Sequence, residues 1–340
     1  MKSNNLLTDS KLTEAIAKDK KIRTTISQQS HFWFFNIYFP HYLTFPTALF
    51  QLEMFELSQQ DNLHLFAIMA FRGSGKSTIM NLSYTLWSIL GKFQKKFIII
   101  ISQTHSQAEG HFSNILYELK NNKQLSSDLG PFEVNQDFRS IIIKNLNAKI
   151  MFTYRGQSIR GMRHGSYRPD LIILDDIEDS KSVQLELTRN ITYDWFETEI
   201  IPTGDFGTTI IILGNLLHEH SFMMRVKENI NTGKTPGIFR AYPLLDDLNQ
   251  ILWPEKFTIE SIQQLKEKTN DELVWRKEYL LMIDKAKFMI NDLLNTLEQD
   301  PLDEKNSQEK KTVRLGKYLI SAPIIDDYTL KEILNRLDAR

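Results

Sequence analysis

Residues 70–78 read AFRGSGKST, and this stretch decides the fold of the chain. An apolar run at 63–69, typical of a buried strand, precedes it, and the apolar spacing of residues 79–87 predicts a helix after it. A glycine-rich turn between a strand and a helix is the setting of a phosphate-binding loop. Ala70 stands where the usual pattern, G-x-x-x-x-G-K-S/T, has its first glycine. That position lies farthest from the phosphates, so the chemistry of the loop is retained.

The loop residues have separate tasks in binding a nucleoside triphosphate. Gly73 and Gly75 allow the backbone to turn so that successive N–H groups point at phosphate oxygens, and the following helix adds its own free N–H groups. Lys76 reaches the β- and γ-phosphates, and the Ser77 hydroxyl coordinates Mg²⁺. The sequence therefore predicts ATP and Mg²⁺ as ligands. The loop residues expected to contact the nucleotide are Gly73, Ser74, Gly75, Lys76, Ser77 and Thr78.

Composition limits the classes of protein and of site. The 340-residue chain has a formal net charge of −1, so any DNA contact must come from local loops or from a ring of subunits. The absence of cysteine excludes thiolate metal sites and fits a cytosolic protein. His218 and His220 flank Glu219 without a third ligand and are interpreted as surface residues rather than a metal site. The N-terminus is polar and the apolar runs are strand-sized, so neither a secretion signal nor membrane association is expected.

Strands and helices alternate along the chain after the loop. Apolar runs at 97–102 and 208–213 predict buried parallel strands, and residues 170–174 predict another that ends in two carboxylates. Further predicted elements are helices at 107–121, 183–196 and 258–283, a hairpin formed by 140–144 and 149–154, and an edge strand at 237–243. This alternation predicts an α/β fold with an open, mostly parallel central sheet flanked by helices, and chemistry at the carboxyl ends of the strands.

We divide the chain into three parts. Residues 1–45 are a helical and aromatic N-terminal segment, 46–285 are the P-loop ATPase domain, and 286–340 are a charged linker or tail. The aromatic residues between 32 and 55 are interpreted as a packed subdomain, with a platform for the nucleotide base as the alternative. Within the tail, residues 298–312 lack a core face, and a last short helix is expected at 328–337.

Two carboxylates follow the strand at 170–174. A buried strand that ends in an acid places that acid beside the phosphate loop, where Asp175 holds Mg²⁺ directly or through water. Hydrolysis also needs a carboxylate that orients or deprotonates the attacking water. Asp176 is the nearest candidate and Glu178 is the other; the sequence leaves both open.

An amide and several arginines complete the predicted site. Asn215 follows the strand at 208–213 and is a candidate sensor of the γ-phosphate. Transition-state charge on phosphoryl oxygens is best met by a guanidinium, from the same chain or from a neighbouring subunit. Arg72 lies within the loop, Arg160 lies in a glycine-flanked segment, and Arg163 and Arg168 stand before the acidic strand. Arg72 and Arg160 are the catalytic candidates, and for Arg160 a DNA contact or a loop cap is the alternative.

Taken together, these segments make the chain similar to the ATPase half of the large terminase subunits of tailed bacteriophages and prophages. The resemblance covers residues 45–285 and rests on the order and spacing of several pieces. They are RGSGKS at 72–77, IIISQTHSQA at 99–108, GQSIRG at 156–161, RPDLIILDD at 168–176, Gly214-Asn215 with His218 nearby, and WRKEYL at 275–280. The resemblance implies a P-loop NTPase fold of the additional-strand, catalytic-glutamate type.

The resemblance also implies a function and a set of partners. Large terminases of this family hydrolyse ATP to move double-stranded DNA into a procapsid. A homo-oligomeric ring acts at the portal protein, and a small terminase subunit helps to select the DNA. The implied location is the host bacterial cytoplasm and, transiently, the procapsid portal. Gln51 falls where the family often places an adenine-contacting segment, and Arg160 falls where some members supply a finger to the adjacent subunit.

The chain departs from the family after residue 285. Family members continue into a nuclease domain of the ribonuclease H type, whereas only about fifty residues follow here, and Asp326-Asp327 alone does not make a two-metal site. We expect no nuclease activity in this chain, with the nuclease on a separate chain, lost, or cut away. Two alternative functions are a helicase-like, nucleic-acid-dependent ATPase outside packaging and a nucleotide-binding assembly protein. The intact Lys76, Ser77, Asp175 and Asp176 argue against an assembly protein without catalysis.

Overall fold

An eight-stranded sheet runs through residues 10–282, the part of the chain that the computed structural model describes. The strands are β1 (Leu65–Ala70), β2 (Phe97–Ser102), β3 (Val134–Gln136), β4 (Ser140–Ile143), β5 (Ala148–Tyr154), β6 (Leu171–Asp175), β7 (Thr209–Gly214) and β8 (Ile238–Tyr242). Their order is β3-β4-β5-β2-β6-β7-β1-β8. The β3–β4 and β4–β5 pairs are antiparallel, and the other neighbouring pairs are parallel. The predicted open, mostly parallel sheet is confirmed.

Helices precede β1, fill several of the connections between the strands and follow β8. They are α1 (Ser10–Lys18), α2 (Lys20–Gln29), α3 (His31–Tyr38), α4 (Leu49–Ser58), α5 (Thr78–Tyr84 continuing into Thr85–Leu90), α6 (His105–Asn121), α7 (Lys123–Leu129), α8 (Glu186–Trp195 continuing to Thr203), α9 (Phe222–Asn231), α10 (Ile259–Thr269) and α11 (Glu272–Trp275 continuing into Arg276–Leu280). The first part of α5, next to the phosphate loop, has wide π-type turns, which are frequent at functional sites. None of these helices combines the length and the apolarity that crossing a lipid bilayer needs.

Each face of the sheet has its own apolar core. Along β2, Ile98 and Ile100 belong to one core, and Ile99 and Ile101 belong to the other, as the alternation of side chains in a strand requires. Helices α2 to α6 contribute to the first core, and the end of α8 with α9 contributes to the second. The prediction that helices flank the sheet is therefore confirmed, and the carboxyl ends of the parallel strands are left at one edge for chemistry.

The aromatic residues of the N-terminal helices lie in the first core. Phe34 and Phe39 are fully buried, and His31 stacks on Trp87 with ring centroids 5.4 Å apart. The His31 ring also joins three helices, because Nδ1 lies 2.7 Å from Ser58 Oγ and Nε2 lies 3.0 Å from Ser83 Oγ. Burial lowers the pKa of His31 well below its ordinary value, so this histidine is neutral. These contacts support the interpretation of the aromatic segment as a packed layer.

The predicted features beyond Met282 lie outside the described residues. They are the charged tail at 286–340, the helix at 328–337 and Asp326-Asp327. The boundaries that we placed at residues 45 and 285 stay predictions. The aromatic segment around residue 45 shares its core with the sheet.

Candidate active site

The phosphate loop has the backbone that the sequence predicts. Gly73 and Gly75 adopt φ angles of +82° and +88°, which side-chain-bearing residues rarely reach without strain. A Cβ added to Gly75 would lie only 3.0 Å from Gln51 Nε2. The Ser74 hydroxyl is buried without a hydrogen-bond partner among the described residues. The glycine conformations and the spare buried hydroxyl together fit a loop that holds a phosphate.

Gln51 braces the loop from α4. Its Nε2 donates to the Ser74 carbonyl at 2.7 Å, and its Oε1 accepts from the Ala48 N–H at 3.0 Å. The residue is buried, so both groups of the amide are used inside the chain. Gln51 is thus a positioning residue for the loop, and the adenine contact that the resemblance implies stays a prediction.

Lys76 meets the ends of two neighbouring strands. Its Nζ donates to Asn215 Oδ1 at 2.9 Å, just after β7, and lies 3.7 Å from Asp176 Oδ2, just after β6. Lys76 itself is only 7% exposed. Lys76 follows β1, and β7 lies between β1 and β6 in the sheet, which explains why residues as far as 139 positions apart meet at one edge. Three of the predicted site residues therefore form one contact cluster.

Asp175 is the most heavily engaged carboxylate at this edge. Its Oδ1 accepts from Ser77 Oγ at 3.4 Å, and its Oδ2 accepts from Asn81 Nδ2 at 2.5 Å and lies 3.1 Å from His111 Nε2. Burial raises the pKa of Asp175, but His111, Lys76 and Asn81 outweigh it, so the net pKa lies below its ordinary value. The charged carboxylate of Asp175 and the neighbouring hydroxyl of Ser77 together are suitable ligands for Mg²⁺.

The residues present fit a magnesium ion only together with a nucleotide. Among residues 10–282, no three histidine, cysteine or acidic side chains gather into a group that could hold a metal. Ser77 and Asp175 would supply two ligands, and phosphate oxygens and water would complete the octahedral shell that Mg²⁺ demands. The pair His218 and His220 is part of no such group either, and the two rings contact each other 5.7 Å apart.

Asp176 occupies a strained position at the centre of the site. It has a φ of +46°, unusual for a residue other than glycine, while its N–H keeps the sheet bond to the Leu213 carbonyl at 3.0 Å. Burial raises the pKa of Asp176 to about 6, the carboxylates of Asp175 and Glu278 add to the rise, and Lys76 opposes it. A carboxylate with its pKa near neutrality suits the transfer of a proton from water.

Glu178 points elsewhere. Its Oε2 accepts from the Phe222 N–H at 2.8 Å, at the N-terminus of α9, where the helix dipole favours a negative charge. Burial raises the pKa of Glu178 to about 7, although the Phe222 N–H and nearby arginines oppose the rise. Lys76 thus contacts Asp176, whereas Glu178 contacts the start of α9, and this difference favours Asp176 of the two carboxylates that the sequence leaves open.

Arg72 is tied to the last described helix. Its Nη1 lies 3.3 Å from Glu278 Oε2, and its backbone N–H donates to the Glu278 carbonyl at 2.9 Å. The Arg72 side chain is 68% exposed, whereas that of Glu278 is 17% exposed. Arg72 therefore lies at the loop with its guanidinium turned to a carboxylate, and a catalytic role for it stays a prediction.

Arg160 lies in the exposed loop between β5 and β6. Gly156 and Gly161 flank it, with φ angles of +82° and +78°, and Ile159 anchors the loop in the second core. The segment 155–168 carries four arginines and no acidic residue. Within residues 10–282, Arg160 makes no ion pair with a carboxylate of its own chain. Its predicted contact with a neighbour or with DNA is untested.

Four residues of the site have no role in the sequence analysis. Asn81 lies on α5 four positions after Ser77, whose backbone is also helical, and this spacing puts both on one helix face, so Asn81 could have been found. His111 comes from α6 and Glu278 from α11. Lys256, which donates to the Gly73 carbonyl, comes from the segment before α10. No local pattern connects these three to the loop, because only the tertiary fold brings them there.

Comparison with known proteins supports the same fold. No protein-family model matches the chain, and no curated protein matches it significantly. The solved large terminase of bacteriophage HK97 superposes on it with a TM-score of 0.54 at 14% identity, over 76% of this chain and 55% of that one. The chain has the fold of a phage large terminase. The expected resemblance is confirmed at the level of this fold. The chain spans about half the length of the HK97 protein.

Two further terminase structures are similar at lower scores. One is the ATPase domain of the Thermus phage P74-26 large terminase, with a TM-score of 0.46 and 18% identity over 74% of this chain and 97% of that one. The other is the large terminase of a thermophilic bacteriophage in complex with ADP, with a TM-score of 0.43 and 12% identity over 69% of this chain and 53% of that one.

Proposed function

We propose that the chain is the ATP-hydrolysing motor of viral DNA packaging, which translocates double-stranded DNA into a procapsid. The observation that carries the proposal is the contact cluster of Lys76, Asp176 and Asn215, with Ser77 on Asp175 beside it, at the carboxyl edge of a terminase fold. A lysine, a hydroxyl and two carboxylates at one glycine-rich loop are the parts that phosphoryl transfer to water requires.

Each side chain has a task in hydrolysis. The loop N–H groups and Lys76 bind the β- and γ-phosphates, which requires that Lys76 leave the oxygen atoms of Asn215 and Asp176. Asp176, released from that contact, orients the attacking water and accepts its proton. Asn215, at the end of β7 and in contact with Lys76, would sense the γ-phosphate and report its presence to the strand. Ser77 and Asp175 would hold Mg²⁺, which would supply positive charge beside the phosphate oxygens.

The partners that we propose are double-stranded DNA, the portal protein, a small terminase subunit and further copies of this chain in a ring. The support for a polyanionic or subunit partner is local, because the whole chain has a net charge of −1. The arginine-rich loop at 155–168 is an exposed positive segment that follows β5 at the carboxyl edge of the parallel strands, the edge that also carries the site. A positive loop of this kind steers a polyanion or a carboxylate-rich neighbour to the edge where ATP is hydrolysed. Action in the host bacterial cytoplasm, at the portal, follows from the same proposal.

The test of the motor function is ATP turnover with and without double-stranded DNA and portal-bearing procapsids. The proposal predicts that DNA raises turnover and that procapsids raise it further, since a motor couples hydrolysis to its track. The Lys76→Ala variant should stay inactive under all conditions. Turnover that is unchanged by DNA and by procapsids would remove the motor function, even if the chain hydrolyses ATP.

A further inference from the structure

A second lysine reaches the phosphate loop. Lys256, in the segment between β8 and α10, donates from Nζ to the Gly73 carbonyl at 2.7 Å. Gly73 lies at the turn of the loop, and a Cβ added to it would lie 3.6 Å from the same Nζ. The loop is therefore flanked by two ammonium groups, Lys76 from its own helix and Lys256 from a segment about 180 residues later.

Aromatic rings hold Lys256 in this place. Its Nζ lies 4.6 Å from the centroid of the Trp253 ring and 5.2 Å from that of Phe257. Both aromatic side chains are buried, and Phe257 packs on Phe71 of the loop with ring centroids 5.6 Å apart. The ring faces attract the cation and restrict the lysine stem, so the ammonium group is preorganised at the loop before any ligand arrives.

Lys256 differs from the other two cations at the loop in its partners. Arg72 has Glu278 and Lys76 has Asp176, whereas no carboxylate among residues 10–282 forms an ion pair with Lys256. Burial lowers the pKa of Lys256, because the ammonium loses water without gaining an anion. A neutral donor would serve the Gly73 carbonyl equally well at a lower desolvation cost. The position of this charge therefore indicates an anion that the chain itself does not supply.

We propose that Lys256 is a second phosphate-binding lysine, whose ammonium leaves the Gly73 carbonyl to contact the phosphate oxygens of the nucleotide in the loop. The inference rests on the proposed nucleotide binding and adds a residue from the far end of the fold. The segment that carries Lys256 follows β8, the strand next to β1, so a nucleotide held by both lysines fixes that segment against the loop. Nucleotide binding therefore also fixes the position of the segment that leads into α10 and α11.

The test is the affinity for MgATP, measured by calorimetry at low and at high KCl. Lys256→Gln keeps a donor for the Gly73 carbonyl and removes the charge, and it should bind MgATP about tenfold more weakly at low salt. Lys256→Arg keeps the charge and should recover most of the affinity. The gap between wild type and Lys256→Gln should shrink as KCl is raised, which a purely structural role would not produce. Should Lys256→Gln fail to fold, Lys256→Met, which keeps the stem over both rings, takes its place.

The matched control is Lys227→Gln. Lys227 also lies over an aromatic ring, 5.7 Å from the centroid of Phe239, but contacts no loop residue, and its variant should bind MgATP as the wild type does. Wild-type affinity in Lys256→Gln, a loss in Lys256→Arg equal to that in Lys256→Gln, or a gap that does not change with salt would each overturn the inference. Lys76→Ala in the same titration separates the two claims. If Lys76→Ala loses MgATP binding and Lys256→Gln does not, nucleotide binding at the loop is supported and the role of Lys256 is contradicted. A wild type that binds no MgATP would contradict both the proposed nucleotide binding and the role of Lys256.

Discussion

Asp176 and Glu178 are two positions apart, yet their carboxyl groups have different surroundings. Asp176 lies 3.7 Å from Lys76 Nζ, and Glu178 caps the N-terminus of α9 through the Phe222 N–H. The backbone of Asp176 is left-handed, with a φ of +46°, at the point where its side chain contacts Lys76 of the loop. Under the proposed function, Asp176 rather than Glu178 is therefore the carboxylate that would act on the attacking water.

The first prediction concerns this selection. Asp176→Asn should lower ATP turnover at least about a hundredfold, because the amide no longer accepts a proton from water, while MgATP affinity is retained. Glu178→Gln should keep both the ATP turnover and the MgATP affinity of the wild type, since its amide oxygen still accepts from the Phe222 N–H. Single-turnover rates and calorimetric affinities measure the two effects. The reverse pattern, with Glu178→Gln inactive and Asp176→Asn active, would assign the reaction to Glu178.

The second prediction concerns stability and pH. Burial raises the pKa of Glu178 to about 7 in the folded chain from an ordinary 4.5. Its contribution to stability is therefore full below pH 4.5 and is lost as the pH rises through 7, because the unfolded chain releases the proton more readily. Glu178→Gln removes this loss, so its free energy of unfolding at pH 8 should be about 1–2 kcal/mol higher than that of the wild type. Urea titrations at pH 5 and pH 8 measure the difference in stability between the variant and the wild type. An equal difference at both pH values would contradict a raised pKa of Glu178.

At the scale of single residues, the sequence predicts the parts of the site that lie at the ends of recognisable elements. Asp175 ends a buried strand, Asp176 and Asn215 follow buried strands, and Lys76 follows a glycine turn. Their convergence is explained by the neighbouring parallel strands β1, β7 and β6. Residues whose place depends on packing between distant elements, such as His111 on Asp175, have no such signal.

At the scale of elements, the predicted bounds are accurate for the fully buried strand β2 and also for the partly exposed edge strand β8. The strand at 97–102 is found with its actual bounds, and the edge strand at 237–243 is found within one residue at each end. Strand β3 is missed because its three residues are partly or fully exposed and show no apolar pattern. The start of α6 at His105 rather than 107 is set by Thr104, whose hydroxyl caps the helix through the Gln107 N–H at 3.3 Å.

The loop between β5 and β6 gives the third prediction, that Arg160 acts between subunits. Mixing Arg160→Ala subunits with Lys76→Ala subunits should recover part of the ATP turnover that both parents lack, because a Lys76→Ala subunit lends its arginine to an intact site next door. Turnover across mixing ratios measures this, with co-assembly checked by size-exclusion chromatography. The control is Arg168→Ala, whose arginine donates to the Pro202 carbonyl of its own chain and should need no complementation. No recovery at any ratio would leave Arg160 with a role within one subunit or on DNA.

At the scale of the whole molecule, the aromatic helices and the sheet share one core. Phe34 on α3 is fully buried in the same cluster as Phe66 and Ile68 of β1, the strand that leads into the phosphate loop. The N-terminal layer therefore supports the strand that positions the loop. We therefore expect a loss of packing in that layer to lower the stability of the phosphate loop as well.

The fourth prediction follows from this shared core. Phe34→Ala should lower the free energy of unfolding by about 3–5 kcal/mol, the usual cost of a large cavity in a packed interior. Phe206→Ala is the matched control, because Phe206 is 99% exposed and its loss should leave stability nearly unchanged. Urea unfolding followed by circular dichroism measures both variants. A similar small effect for the two would mean that the N-terminal layer is not part of the cooperative unit.

The central claim, that the loop at 70–78 is the ATP-hydrolysing site of a terminase fold, is tested most directly by the MgATP turnover of Lys76→Ala. Lys76 is tied to Asp176 and Asn215 in the structure and is expected to bind phosphates during the reaction. We predict that wild type hydrolyses MgATP and that Lys76→Ala is slower by at least about a hundredfold, with an unchanged circular dichroism spectrum. A Lys76→Ala variant that keeps more than about a tenth of the wild-type rate and the wild-type affinity for MgATP would contradict the assignment of the site.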